Sequence, residues 1–243
     1  MVLEEVLGDL GRVNMFFGVG VFGTGARPRS HGWEPVSALA GERVAEEVRR
    51  VRAQLGALSG GGAEDVEWRV GASLFHQGLA SRLLSPVLAA ALCHGVRLRV
   101  ADFHFEPVRS GPLVLRTAQT RVEAIPRDPG EIAEWVSATV VERALAGVEE
   151  ELAGIGRVSP GLLRGNTAAA LAGAARSLGG ARHEQRAAAE EVVRLTLERP
   201  SLQGTGGYTG VDRSGLAVFR RTTCCLYYRL PDGGLCGDCA LRP

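Results

Sequence analysis

Four cysteines near one end of the chain constrain its fold more than any other feature of the sequence. Cys224, Cys225, Cys236 and Cys239 form the pattern C-C-x10-C-x2-C, whereas Cys93 stands alone far upstream. Thiols at this density either bridge one another or bind a metal centre. A disulfide pair, a zinc ion and an iron–sulfur cluster are the three alternatives, and each predicts a different function.

The start of the chain bears on the disulfide alternative. MVLEEVLGDLGRV is acidic and amphipathic, and it lacks the basic region and the unbroken apolar run of a signal peptide. No apolar stretch reaches the ~18 residues that a membrane-spanning helix needs. We therefore expect a cytoplasmic protein without a membrane span. In that reducing compartment clustered cysteines bind metal or carry out redox chemistry, so disulfides are the least favoured alternative.

Charge excludes several classes of function. The 28 basic and 27 acidic residues give a net charge of +1, and they form no block of like charge. This balance predicts no nucleic-acid partner and no membrane-surface role. Every basic residue is arginine, which excludes a Schiff-base lysine and the lysine of a phosphate-binding loop.

Spacing distinguishes zinc from a cluster. Structural zinc sites use pairs of Cys-x2–4-Cys turns, and Cys236-Gly237-Asp238-Cys239 is one such turn. Cys224-Cys225 is not, because neighbouring side chains of an extended backbone point to opposite faces. A [2Fe–2S] cluster is a wider target for four thiolates that arrive from different directions. The spacing favours the cluster, with zinc as the alternative.

The rest of the chain predicts an α+β fold that is predominantly helical, with a small antiparallel β-element. Apolar periodicity and capping signals, among them Asp128-Pro129 and Ser159-Pro160, predict the helices. Residues 97–108 and 112–125 predict a hairpin around Arg109-Ser110-Gly111. Pro86 is expected to split or kink the apolar helical segment 70–95. The predicted helices cover residues 2–13, 36–56, 128–152, 159–180 and 183–198.

The glycine-rich stretch SLQGTGGYTG, residues 201–210, predicts a linker before the cysteines. We therefore expect two parts. Residues 1–210 would form a mainly helical α+β domain, and residues 211–243 would form the C-terminal cluster-binding segment.

The cysteine region resembles a known family. RRTTCCLYYR, from Arg220 to Arg229, followed by CGDC, from Cys236 to Cys239, is similar to the C-terminal signature of the FhuF family of ferric-siderophore reductases. HQGLASRLLSPVLAAALCHG (76–95) and SPGLLRGNTAAAL (159–171) also resemble family segments, so the resemblance covers roughly residues 70–243. The chain departs from the family before Asn166, where Leu163 and Arg164 replace an expected Trp.

The resemblance implies a function for the cysteines. Cys224, Cys225, Cys236 and Cys239 would bind a [2Fe–2S] cluster that passes one electron to iron(III) held by a siderophore, of hydroxamate type by family resemblance. Hard anionic oxygens suit the ferric ion better than the ferrous ion, so the added electron would release the iron. The reaction would need no catalytic residue beyond the cluster. An iron–sulfur sensor without turnover and a structural zinc protein are the alternatives.

The signature also suggests contacts for partners. Basic residues beside the cysteines would attract an acidic electron donor such as a ferredoxin, or an anionic chelate. Alternatively they are solvated, or they pair with Asp232 and Asp238. If the chain is extended at the two tyrosines, one enters the core and the other covers the cluster or stacks on a ligand. The candidate docking residues are Arg220, Arg221, Tyr228 and Arg229.

Overall fold

The computed structural model describes residues 2–23, 32–107, 113–156 and 158–242. Over these residues the fold is α+β and predominantly helical, and the cysteines lie in a C-terminal segment, as predicted. The helices are α1 (Leu3–Leu10), α2 (Glu42–Leu58), α3 (Trp68–Ala89), α4 (Pro129–Val136), α5 (Ala146–Gly156), α6 (Pro160–Ala181) and α7 (Arg186–Leu197). The strands are β1 (Gly20–Val21), β2 (Glu34–Pro35), β3 (Val96–Arg97), β4 (Phe103–Phe105), β5 (Leu115–Thr117), β6 (Glu123–Ala124), β7 (Gly206–Val211) and β8 (Ala217–Arg221).

Two long helices, α3 and α6, pack against each other through the centre of the molecule. Both are buried on most of their circumference, as expected of helices that are apolar on all sides. Alanines and glycines dominate α6 and allow close approach of its neighbours. A few polar side chains are nevertheless buried here, including Ser73 on α3 and Asn166 and Thr167 on α6. Buried polar groups need partners, and Ser73 and Asn166 bond to each other and to residues of the C-terminal segment that carries the cysteines.

Helix α3 does not split at Pro86. The helix continues through the proline to Ala89 and then passes into a π-helical turn, Ala90–His94. Gly95 ends it in the left-handed conformation, with φ +64°. Proline costs a helix one hydrogen bond, but the residues around Pro86 are fully buried, and this packing outweighs the local preference.

The sequence signals for helix starts are confirmed. The Asp128 side chain accepts a hydrogen bond from the Glu131 backbone N–H, and Ser159 Oγ accepts one from Leu162 N–H. A π-helical segment, Ser137–Leu145, joins α4 to α5.

The central β-element contains the predicted hairpin. β4 pairs antiparallel with β5, while the expected turn, Arg109-Ser110-Gly111, lies outside the described residues. β2 pairs antiparallel with β4, and β1 adds to β5 as a parallel neighbour, giving the order β1-β5-β4-β2. β3 and β6 form a second antiparallel pair.

The expected linker at 201–210 is wrong, because its second half is strand β7. β7 pairs antiparallel with β8, the strand that leads into the cysteines. Gly206 must be glycine, since a Cβ there would lie 2.4 Å from the Phe219 ring and 2.6 Å from the Arg220 carbonyl oxygen. Glycines that permit such close pairing resemble a flexible linker in the sequence. No described helix is both long and apolar enough to cross a membrane.

Candidate metal centre

Strand β8 delivers the chain to the first two cysteines. Its side chains alternate, so that Ala217, Phe219 and Arg221 are buried while Val218 and Arg220 are partly exposed. The Arg221 backbone N–H donates to the Asp238 carbonyl 3.1 Å away, and Asp238 lies between Cys236 and Cys239. This bond holds the two cysteine pairs side by side although ten residues lie between Cys225 and Cys236.

A sharp turn follows the Cys-Cys pair. Leu226 has φ +68°, which makes it a left-handed non-glycine residue, and a 3₁₀ turn follows at Tyr227–Arg229. The Leu226 N–H donates to Cys224 Sγ at 3.3 Å. A strained backbone of this kind persists only where the surrounding structure imposes it. Here it places the Leu226 N–H so that the Cys224 thiol accepts a backbone hydrogen bond.

The second pair forms the predicted turn. Cys239 N–H donates to the Cys236 carbonyl at 3.2 Å, and Leu241 N–H donates to Cys239 Sγ at 3.3 Å. Cys224 and Cys239 therefore accept hydrogen bonds in the same way, each from the N–H two residues further on. Backbone N–H donors to cysteine sulfur stabilise thiolates and help to set the potential of iron–sulfur centres.

The two cysteine pairs meet in space. Cys225 Sγ and Cys236 Sγ are 3.5 Å apart, and all four cysteines are free thiols. Cys225 and Cys239 are buried, while Cys224 and Cys236 are partly exposed. Burial raises the pKa of the Cys224 and Cys236 thiols, and Asp238 raises that of Cys236 further. Metal binding would therefore displace protons from these groups.

The donor set matches a two-iron cluster in chemistry and number. Four thiols are the usual ligands of a [2Fe–2S] unit, and here both cysteine pairs reach one region. Among the residues that the structure describes, no three His, Cys, Asp or Glu side chains are already grouped around a single point. The 3.5 Å contact between Cys225 Sγ and Cys236 Sγ fits two ligands of one metal ion, either zinc or one iron of a cluster.

A buried hydrogen-bond network ties this segment to the helical core. Ser73 Oγ on α3 donates to the Cys225 carbonyl at 2.7 Å. Asn166 Nδ2 on α6 donates to the Ser73 carbonyl at 2.9 Å, and Asn166 Oδ1 accepts from Arg221 Nη2. Ser73 was not identified from the sequence, since its partners lie 93 and 152 residues away. Asn166 lies in a segment that resembled the family, and the structure gives it this connecting position.

Close approach to α6 depends on Gly165. A Cβ at this position would lie 2.1 Å from Thr223 Oγ1 and 3.3 Å from Arg221 Nη2. The absence of a side chain thus lets the residues before Cys224 rest directly on the helix. Gly233 permits the tight path of the chain before Cys236, because a Cβ there would lie 2.2 Å from the Tyr227 carbonyl oxygen.

Two adjoining cavities lie between the helices and the cysteine segment. We call the smaller, of about 260 Å³, the sulfur-side cavity; Cys225, Cys236, Tyr227 and Gly78 are among its lining residues. The larger, of about 480 Å³, lies between α3, α6, β8 and the Gly237-Asp238 turn. We call it the hairpin cavity, after the antiparallel β7–β8 pair. They share Phe16, Gln77 and Ser81, so together they form a cleft that reaches the sulfurs.

A third cavity, of about 570 Å³, lies elsewhere. It is lined by α4, α5 and the β3 region, including Arg97, Trp135 and Gly147, and by no residue of the cysteine segment. We call it the remote cavity. It is larger than either part of the cleft, but it does not contact the thiols.

The predicted docking residues have different positions. Arg221 is buried, so its assignment to a docking surface is wrong; strand alternation turns it inward. Arg229 forms an ion pair with Glu67, with Nε 2.6 Å from Oε1. Arg220 Nη1 donates to the Arg242 carbonyl at 2.6 Å.

The expectation for the tyrosines is also wrong. Tyr227 and Tyr228 are both exposed, because the chain forms a 3₁₀ turn there and the two side chains do not alternate between core and surface. Tyr227, rather than Tyr228, lines the sulfur-side cavity.

Comparison with protein families identifies the segment. Residues 221–241 match the model described as the FhuF 2Fe-2S C-terminal domain. The match includes all four cysteines and begins at Arg221. It supports a [2Fe–2S] cluster as the cofactor of this segment. A comparison with curated protein sequences finds no match.

Proposed function

Because residues 221–241 form a FhuF-type 2Fe-2S C-terminal domain, we propose that the protein is a ferric-siderophore reductase with Cys224, Cys225, Cys236 and Cys239 as cluster ligands. When bound, a [2Fe–2S] cluster stores and releases one electron. The substrate is iron(III) in a siderophore, and its reduced product, iron(II), leaves the hard oxygen ligands. A hydroxamate chelate and a ferredoxin-like donor are the proposed partners, and the cytoplasm is the proposed location.

One observation carries this proposal: Cys225 and Cys236, whose Sγ atoms are 3.5 Å apart, line a cleft. Cys225 and Cys236 form part of the wall of the sulfur-side cavity, which continues into the hairpin cavity. A chelate in this cleft would lie beside the ligands of the electron carrier, as outer-sphere electron transfer requires. A buried structural zinc site would have no need of such a cleft.

The cleft offers a hydrogen-bond acceptor to a chelate that carries N–H or O–H donors. Gln77 Oε1 is buried without a hydrogen-bond partner among the described residues, and Gln77 lies where the two cavities join. Ser81 lies one helical turn further along α3 and also lines both cavities. Apolar side chains, such as Phe16, supply the rest of the surface, a composition usual for small-molecule sites.

The division of the chain follows from the same proposal. Residues 211–243 would carry the cluster, and residues 1–210 would supply the opposite wall of the cleft. The antiparallel pair of β7 and β8 spans this boundary, since β7 ends at Val211 and β8 begins at Ala217. We therefore expect the two parts to fold as one unit.

A stoichiometric reduction tests the function. The anaerobically reduced protein is mixed with a ferric trihydroxamate and a ferrous-specific chromogenic chelator. We expect the cluster to reoxidise with one trapped iron(II) per electron released. A reduced cluster that stays reduced in the presence of the chelate would contradict the reductase and favour the sensor.

A blocked cleft should slow this reaction without loss of the cluster. Gly78 lines the sulfur-side cavity, and a Cβ added there would meet nothing within 4 Å. Gly78→Leu should therefore fold, gain helix propensity and occupy substrate space. We expect kcat/KM for the ferric chelate to fall about tenfold or more, with an unchanged visible spectrum.

Gly147→Leu is the matched control for Gly78→Leu. Gly147 is also helical, its Cβ position is equally open, and it lines the remote cavity. Its kcat/KM should equal that of the wild type. Equal kcat/KM values for the two variants would show that the substrate does not use the cleft.

A further inference from the structure

Arg221 has an unusual environment for a charged residue. Its side chain is 0% exposed, and it lies between Asn166 of α6 and Asp238 of the Cys236–Cys239 turn. Removing a guanidinium from water is costly unless a counter-charge and hydrogen bonds replace the solvent. The position is imposed by β8, whose alternation places Arg221 on the same side as Phe219.

The protein satisfies this charge incompletely. Nη2 donates to Asn166 Oδ1, which is a neutral acceptor. The nearest carboxylate oxygen, Asp238 Oδ2, is 3.9 Å from Nη1 and makes no hydrogen bond. Nε and Nη1 of Arg221 likewise have no hydrogen-bond partner among the described residues. Two donor nitrogens of Arg221 therefore lack hydrogen-bond partners among the described residues, and its ion pair with Asp238 is a long one.

The thiols are the other groups in this region that can carry negative charge. Arg221 precedes Cys224 by three residues, and its own N–H is bonded to the Asp238 carbonyl inside the Cys236–Cys239 turn. Two ferric ions, two sulfides and four thiolates together carry a net double negative charge, which grows by one on reduction.

We propose that Arg221 is the internal counter-ion of the [2Fe–2S] cluster: a positioning residue whose buried charge stabilises the bound cluster and favours its reduced state. The inference rests on the ligand assignment under Proposed function, and it does not require that the substrate be a siderophore. It explains why a buried arginine with two unpaired donor nitrogens lies beside the Cys236–Cys239 turn. Asn166 holds the guanidinium in place through Nη2 and leaves the remaining donors free.

The midpoint potential of the holoprotein tests the role of charge. Arg221→Met removes the charge but keeps an unbranched side chain, and we expect its potential to become more negative. At a fixed potential of the solution, the ratio of reduced to oxidised cluster should fall on the order of tenfold, which is the effect expected when one nearby unit charge is removed. Arg221→Lys keeps the charge and loses the hydrogen-bond geometry, and its potential should remain near that of the wild type.

Arg97→Met is the matched control. Arg97 also has a buried Nε without a hydrogen-bond partner among the described residues, but it lines the remote cavity, which no residue of the cysteine segment lines. Its potential and cluster retention should be unchanged. If Arg221→Met has the same potential as Arg97→Met and the wild type, the counter-ion role is overturned.

A second measurement covers variants that bind the cluster poorly. Chelator-induced cluster loss and urea unfolding of the cluster-free chain are compared for Arg221→Met and Arg221→Lys. We expect Arg221→Met to lose the cluster about tenfold faster than Arg221→Lys, and to destabilise the cluster-free chain less than the loaded chain. Equal rates of cluster loss, or equal destabilisation of both forms, would mean a purely structural role.

A shifted potential in a protein that fails to reduce ferric chelates would support the counter-ion and reject the reductase.

Discussion

The Cys236→Ser variant, isolated without oxygen, is expected to lose the visible absorption of the cluster. Cys236 Sγ lies 3.5 Å from Cys225 Sγ and forms the link between the two cysteine pairs. A serine oxygen is a poorer ligand for iron than a thiolate, and the remaining three cysteines do not complete a four-thiolate set. We expect the affinity of the protein for iron, measured by competition with a chelator, to fall by about 100-fold or more. This is a larger effect than substitutions of residues that only contact the metal ligands usually have.

Cys93→Ser is the matched control for this variant. Cys93 lies in the π-helical turn at the end of α3, where burial raises the pKa of its thiol, and it contacts the hydrophobic core. The same substitution there should leave the spectrum and iron content unchanged. If Cys236→Ser retained full iron, sulfide and absorbance, Cys236 would not be a ligand.

The Asn166→Leu variant is expected to lose about 3 kcal/mol of unfolding free energy. Asn166 is fully buried and bridges Ser73 on α3 to Arg221 at the cysteine segment. Leucine has a similar volume but no polar atoms, so the Arg221 guanidinium would lose its one neutral acceptor. Urea unfolding of the cluster-free chain measures this loss.

Thr167→Val provides the comparison for Asn166→Leu. Thr167 is the next residue of α6, is equally buried, and donates to Glu149 Oε1 at 3.0 Å, away from the cysteines. We expect it to cost about 1 kcal/mol and to leave cluster retention unchanged. If Asn166→Leu lost less than about 1 kcal/mol of unfolding free energy and retained the cluster normally, the hydrogen-bond network of Ser73, Asn166 and Arg221 would not stabilise the fold or the cluster.

Local signals in the sequence predicted local structure well. Asp128 and Ser159 cap helices as expected, and the β4–β5 hairpin forms. The Cys-x2-Cys turn also closes as its spacing indicates. In each case neighbouring residues supply both partners of the interaction, so short-range patterns suffice.

Interactions between distant segments were not predictable in the same way. Ser73 meets the Cys225 carbonyl only because α3 packs against the C-terminal segment. The left-handed Leu226 turns the chain after the cysteines and exposes both tyrosines that follow it. Strand alternation along β8 could have indicated the inward position of Arg221, but the basic composition of the segment suggested a docking surface instead.

Metal and sulfide analysis of the full chain, purified without oxygen, tests the central claim most directly. Iron, acid-labile sulfide and zinc are measured on the same sample, together with its visible spectrum. The account predicts two irons and two sulfides per chain, as a [2Fe–2S] cluster requires, and a coloured protein that bleaches partly on reduction. One zinc per chain, with neither iron nor sulfide, would contradict it.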